Sequence, residues 1–173
     1  MHYRIGVAYF SPSRDWACRP VAMKPPKPVE ASSASTIAWW KNPGVIYFIG
    51  AGEGPVAIKI GMAAITGNRD LRSTIVRRLS QIQSSNHELI QLLGVVRFTE
   101  GPYPARNADA RERELHIEFE RLRRFAAYMR GAEWFNPSPE LLARIEEIRD
   151  KTPEALQLPR FFSASTTIGK GEQ

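Results

Sequence analysis

Apolar positions first gather at Val45–Ile49 (VIYFI) and again at Val56–Ile60 (VAIKI). Both runs are short and rich in β-branched and aromatic residues, which favours strands, and Gly50, Gly52, Gly54 and Pro55 between them predict an antiparallel hairpin. After a loop containing Gly67 and Asn68 the period becomes helical. Ile75, Leu79 and Ile82 share a seam, with Ser73 or Thr74 available as the N-cap. Leu89–Phe98 (LIQLLGVVRF) reads as a third strand. Past the Gly101, Pro102 and Pro104 loop, the spacing of Leu115, Phe119, Leu122 and Ala126 predicts one long helix from about Ala108 to Met129. Glu133–Phe135 is a candidate short strand. Ser138-Pro139-Glu140 then opens a last helix with a cap, a proline at its first position and an acid in its first turn, its stripe being Leu141 or Leu142, Ile145 and Ile148. The expected class is α+β, with a small, mainly antiparallel three-stranded sheet flanked by helices.

The pattern also suggests boundaries. Residues 20–36 carry Pro20, Pro25, Pro26 and Pro28 ahead of a Ser/Ala stretch, a composition that suits a linker and breaks helices and central strands. Residues 1–40 therefore read as an N-terminal extension and linker, with a short strand candidate at Tyr3–Phe10, and 42–149 as the domain. After Asp150 periodicity is lost, so 150–173 reads as a flexible tail.

Composition narrows the function classes. The single cysteine, Cys18, excludes an intramolecular disulfide framework, and no apolar run reaches membrane-span length. The first residues, MHYRIGVAYFSPSRDW, interrupt their apolar stretch with a charge, unlike a secretory signal, and the expectation is a soluble cytoplasmic protein. The net charge of +6 is built from 18 Arg and 6 Lys. Planar guanidinium groups hold phosphates through paired hydrogen bonds, so nucleic acid is a candidate partner. The surplus lies in residues 1–100, whereas residues 101–150 sum to −1.

Helical geometry, about 100° per residue, sorts the charged side chains by direction. Glu112 falls within roughly 40° of the seam through Leu115 and Phe119 and is expected to face the sheet, while Glu114 faces water. A carboxylate there is either paired or holding a cation, or simply sits wet in the first helical turn, where an acid offsets the dipole. His116 lies one turn beyond Glu112, at the edge of that face. Arg78 flanks the seam of the first helix, as a site residue or as an arginine whose stem covers the core edge, and Arg77 is expected on the opposite, solvated side. Tyr47 points away from Ile46 and Phe48. Lys59 shares a direction with Ala57 and Gly61, small neighbours that leave room for a phosphate; a packed tyrosine and a solvated lysine are the other readings.

The order of these residues resembles the GIY-YIG nuclease superfamily. Val45-Ile46-Tyr47 stands for the first motif and Lys59-Ile60-Gly61 for the second, followed by Arg78 in RRLSQIQ, Glu112 in EREL, His116, and GAEWFN at Gly131–Asn136. The branch it is most similar to is that of phage DNA-binding and meiotically up-regulated proteins. Two departures are Val45 for the first glycine and Lys59 for the second motif's tyrosine. The resemblance spans about Asn42–Arg149. It implies a Mg²⁺- or Mn²⁺-dependent DNA endonuclease in which Glu112 is the metal ligand, and Tyr47, Lys59, Arg78 and Glu112 are catalytic. His116 and Asn136 would support them, while Glu133 and Trp134 would lock the short strand. No small-molecule cofactor and no membrane partner are expected. The other function classes are a non-catalytic DNA-binding module of the same fold, gripping DNA through Lys59, Arg69, Arg72, Arg77 and Arg78, and a small interaction protein whose charge is incidental.

Overall fold

The computed structural model describes residues 33–129 and 131–160. Strands β1 (Gly44–Ala51), β2 (Ala57–Ala64), β3 (Ile90–Phe98) and β4 (Trp134–Phe135) form one antiparallel sheet in the order β3-β1-β2-β4. Helices are α1 (Ala34–Trp40), α2 (Leu71–Gln83), α3 (Pro104–Glu118), α4 (Pro139–Ile148) and α5 (Pro153–Leu156). The class is α+β as expected, but the sheet has four strands rather than three, because Trp134–Phe135 pairs with Lys59 and Ile58 on the outer edge of β2.

All eight residues of β1 are buried, which explains why VIYFI is a continuous apolar run instead of an alternation. Val45, Tyr47 and Ile49 pack with Leu71, Ile75 and Leu79 of α2. Ile46 and Phe48 pack on the other face, with Ala108 and Leu115 of α3, Phe119, and Leu141 and Ile145 of α4. The sheet is thus covered on both sides. In β3, Phe48 pairs with Gly94 and Ile49 with Leu92, which leaves Leu93 as an extra residue. This bulge shifts the strand's phase, so that Leu92 and Val95 both reach the α2 side.

The long helix expected to reach Met129 stops at Glu118. Phe119 leaves helical geometry (φ −106°, ψ 21°), Glu120–Leu122 make a single 3₁₀ turn, and Arg123 is extended and bridges Phe135. The cause is competition for backbone hydrogen bonds: Asn136 N donates to Leu122 O (2.6 Å) and Arg124 N to Trp134 O (2.9 Å). Phe119 stays buried, whereas Ala126 is exposed and lies in no helix. The cap of α2 is also corrected. Asp70, not Ser73 or Thr74, occupies the position, accepting from Ser73 N at 2.7 Å. Ser138 caps α4 as expected, accepting from Leu141 N.

The domain is wider than 42–149. Residues 34–40 are helix instead of linker, and buried Trp40 lies edge-on to Tyr103 (5.9 Å) and beneath the Arg106 guanidinium (4.7 Å). Residues 150–160 are docked along the free edge of β3: Asp150 N donates to Val95 O and Leu92 N to Arg160 O, both at 2.7 Å. Arg97 clamps this segment through Asp150 and Glu154, and Leu158 is buried. Covering a sheet edge in this way removes a template for unwanted pairing. The Tyr3–Phe10 strand candidate, the proline-rich stretch and residues 161–173 lie outside the described residues. Among the described residues, no helix is long and apolar enough to cross a membrane.

Candidate functional site

Strand β4 reaches only Ile58 and Lys59 of β2, so beyond them the outer edge of β2 has no strand partner among the described residues. Ile60 satisfies both of its outward groups locally, its N donating to Glu133 O and its O accepting from His116 Nε2, each at 3.1 Å. Helices α2 and α3 lie on opposite faces of the sheet and flank this edge. Between them opens a cleft of about 420 Å³, and Tyr47, Lys59, Gly61, Arg78, Asp109, Glu112 and Glu133 contribute to its walls.

Tyr47 stands opposite Gly61 in the β1–β2 register. A Cβ on Gly61 would lie 2.6 Å from both Oη and Cζ of Tyr47, so the ring occupies the space that the glycine leaves. This corrects the expectation that Gly61 leaves room for a phosphate beside Lys59. Burial pushes the phenol up to about 12; Arg78 opposes the shift, while Glu133 and Glu112 add to it. At neutral pH the phenol therefore keeps its proton and can donate a hydrogen bond.

Lys59 is not a solvated strand lysine. Its side chain is 12% exposed, forms a salt bridge with Glu133 and lies 5.9 Å from the centre of the Trp134 ring. Glu133, assigned by sequence to locking the strand, is thus part of the cleft. Its signal was its place at the start of EWF, one residue before the strand that pairs with Lys59. Asp109, one helical turn before Glu112, is a second acid that the sequence reading passed over; it pairs with Arg113.

Glu112 lies on the inward seam of α3 between Ala108 and Leu115, with its side chain 14% exposed. Burial, reinforced by Glu133 and Asp109 and opposed by Lys59 and Arg113, pushes its carboxyl up to about 7. Among the described residues it forms no ion pair with lysine or arginine; its neighbour is His116 Nε2 at 3.9 Å. Burial in turn pushes His116 down, which keeps the ring neutral at neutral pH. The bond to Ile60 O requires the hydrogen on Nε2, so the nitrogen nearest Glu112 is committed as a donor to the sheet edge.

The arginines divide. Arg78 is exposed at the cleft, with Nη1 donating to Gln81 Oε1 at 3.1 Å. Arg77, expected to face away, lines an adjoining pocket together with Arg69 and Arg78. The reason is helical spacing: Thr74, Arg77, Arg78 and Gln81 form one stripe beside the buried Leu71, Ile75 and Leu79 seam. Arg72 turns toward the C-terminal segment and donates to Gln157 O at 3.1 Å. Asn136 is exposed, follows β4 and does not line the cleft.

No group of three His, Cys, Asp or Glu side chains is arranged to hold a metal ion among the described residues. What the cleft offers instead is one buried carboxylate without a cationic partner, with the Glu133 and Asp109 carboxylates in the same wall. With Glu133 held by Lys59 and Asp109 by Arg113, Glu112 is left as one oxygen ligand, which fits a hard cation that keeps several waters and takes further oxygens from a substrate. Comparison of the chain with protein-family models, with curated proteins and with solved structures finds no match.

Proposed function

We propose that this protein is a divalent-metal-dependent DNA endonuclease of GIY-YIG type, acting in the cytoplasm and hydrolysing phosphodiester bonds at the cleft. The observation that carries the reading is that Tyr47, Lys59, Arg78 and Glu112, from four separate segments, line one cavity at the open edge of β2. Glu112 would hold Mg²⁺ or Mn²⁺, and its buried, unpaired carboxyl gains the counter-charge it lacks. The bound ion supplies Lewis-acid polarisation of a phosphoryl oxygen. Arg78, with its guanidinium at the cleft mouth, stabilises negative charge building on the non-bridging oxygens. Tyr47 keeps its proton and orients water or a phosphate oxygen by donating a hydrogen bond. Lys59 balances Glu133 and so limits the repulsion that Glu112 feels.

A second reading has an observation of its own. Tyr47 held protonated and Lys59 tied to Glu133 suit a module that binds DNA without cutting it, through Arg69, Arg77 and Arg78. Plasmid nicking with Mg²⁺ or Mn²⁺ separates the two. The wild-type chain is expected to nick, and Glu112→Ala to lose at least about 10²–10³-fold in rate, the usual cost of removing one electrostatic stabiliser. Unchanged cleavage by Glu112→Ala removes the metal-ligand role. Salt-sensitive DNA binding by a wild-type chain that never nicks selects the second reading.

A further inference from the structure

Beside the cleft lies a smaller pocket of about 190 Å³ whose walls include Trp39, Arg69, Thr74, Arg77 and Arg78. Among the described residues, none of these three arginines forms an ion pair. On α3 and α4, by contrast, Arg111, Arg113 and Arg144 each pair with an acid one turn away, as does Arg149 at the C-cap of α4, while Arg106 lies over the Trp40 ring. Converging unneutralised guanidinium groups repel one another and do nothing for the isolated fold; an anion between them removes the repulsion and accepts their hydrogen bonds. Thr74 is only 6% exposed, and its Oγ1 has no hydrogen-bond partner. Trp39 lines the same pocket and is 38% exposed, so an aromatic face is available beside the guanidinium groups.

We infer that this pocket seats one phosphate of a single-stranded DNA segment flanking the cleft, with the adjoining unpaired base stacked on Trp39. A cationic groove beside an aromatic platform is the combination that binds single strands without reading their sequence. Arg78 lines both cavities, so it lies between the two phosphates and fixes the strand's register relative to Glu112. The ligand class rests on the reading of the cleft as a nucleic-acid site, but binding at the pocket does not require cleavage.

The test uses the full chain carrying Glu112→Ala, titrated with a labelled oligothymidylate about 12 nucleotides long, within the usual range of single-strand site sizes. Salt is varied between about 50 and 200 mM. Arg69→Gln with Arg77→Gln is expected to reduce the slope of log affinity against log salt by about 0.7 per lost phosphate contact. Trp39→Ala is expected to weaken binding about tenfold at every salt concentration with the slope unchanged. Arg121→Gln, an exposed arginine paired with Glu140 on another surface, serves as the control and should change nothing. Both variants binding like the control overturns the proposal. So does displacement of the oligonucleotide by inorganic phosphate at matched ionic strength, because the pocket is then a free-anion site. Nicking by the active chain is scored separately. Binding losses in a protein that never nicks uphold the pocket and sink the nuclease reading, while nicking with no binding losses does the reverse.

Discussion

Replacing Gly61 by alanine tests whether the glycine of the second strand exists to seat Tyr47. The new Cβ would stand 2.6 Å from Oη and Cζ and 2.8 Å from Cε2 of the ring. Ordinary carbon contact begins near 3.5 Å, so the ring must retreat by roughly 0.9 Å. It has little freedom to do so, because Tyr47 is 5% exposed and packed among Val45, Ile49 and Leu79. Overpacking of this kind costs about 1–3 kcal/mol, and the smaller unfolded-state entropy of alanine returns about 0.4–1 kcal/mol. The expected net loss is about 1–2 kcal/mol, or roughly 4–8 °C in Tm for a domain of this size. Thermal and urea unfolding measure it directly, and a double-mutant cycle with Tyr47→Val isolates the contact. With the ring gone the alanine has room, so most of the penalty should vanish as a coupling of about 1 kcal/mol or more. Nicking by Gly61→Ala should fall about 10²-fold, because a displacement near 1 Å in a catalytic group costs that much. An alanine variant as stable as wild type, or one equally costly in both backgrounds, refutes the reasoning.

Two further perturbations address the edge of the sheet and the charge balance. Burial pushes the Asp150 carboxyl up, but hydrogen bonds from Thr152 and Arg97 outweigh it and hold the group below the usual carboxylate range. A pKa lower in the folded than in the unfolded chain stabilises fully above the ordinary value near 3.9 and fades as pH falls through the folded value. Asp150→Asn should therefore cost about 1–3 kcal/mol at neutral pH, and urea unfolding should show that gap closing at strongly acid pH. A gap that persists there would mean that the charge of Asp150 is irrelevant. Glu133→Gln should release Lys59 from its salt bridge and leave its ammonium available to a phosphate. Duplex DNA binding should tighten at low salt, with the salt slope steeper by about 0.9; an unchanged slope shows that Lys59 does not reach the DNA.

What the sequence disclosed depended on whether a local period was tied to one partner. The hairpin, the α2 seam and the Ser138 cap were legible because each is determined by residues within a turn or two of itself. Glu112 was legible for the same reason: its angle to Leu115 puts it on the buried stripe of α3 whatever lies opposite. The end of α3 was not, because Phe119 and Leu122 keep core spacing through a 3₁₀ turn that is fixed by a strand ten or more residues downstream. Nor was the β3 bulge, since alternation within LIQLLGVVRF does not say which residue is skipped against Phe48 and Ile49. The role of Gly61 needed the register that sets it opposite Tyr47, and Arg77 needed Arg69 and Trp39 brought to the same side by the loop and by α1. These were long-range facts, invisible to any window of the chain.

If Lys59 stands where the resemblance puts the second motif's tyrosine, it changes more than one hydroxyl. It comes with Glu133, and the two together are electrically neutral, so the cleft gains a cation without gaining net charge. The remaining charge is divided by helix. Among the described residues Arg69, Arg77 and Arg78, in and before α2, form no ion pair, while the carboxyl of Glu112, with no lysine or arginine partner, lies on α3 across the open edge of β2. A polyanionic strand entering this edge meets its attraction on the α2 side and its repulsion at Glu112, which a divalent cation would reverse. On this reading the order of binding is constrained by the fold: the arginines can hold DNA alone, whereas the scissile phosphate approaches Glu112 only with a cation between them. The overall charge of +6 is a poor guide to this, since Arg111, Arg113 and Arg144 of α3 and α4 are spent on neighbouring acids, whereas Arg69, Arg77 and Arg78, which form no ion pair among the described residues, sit around one pocket.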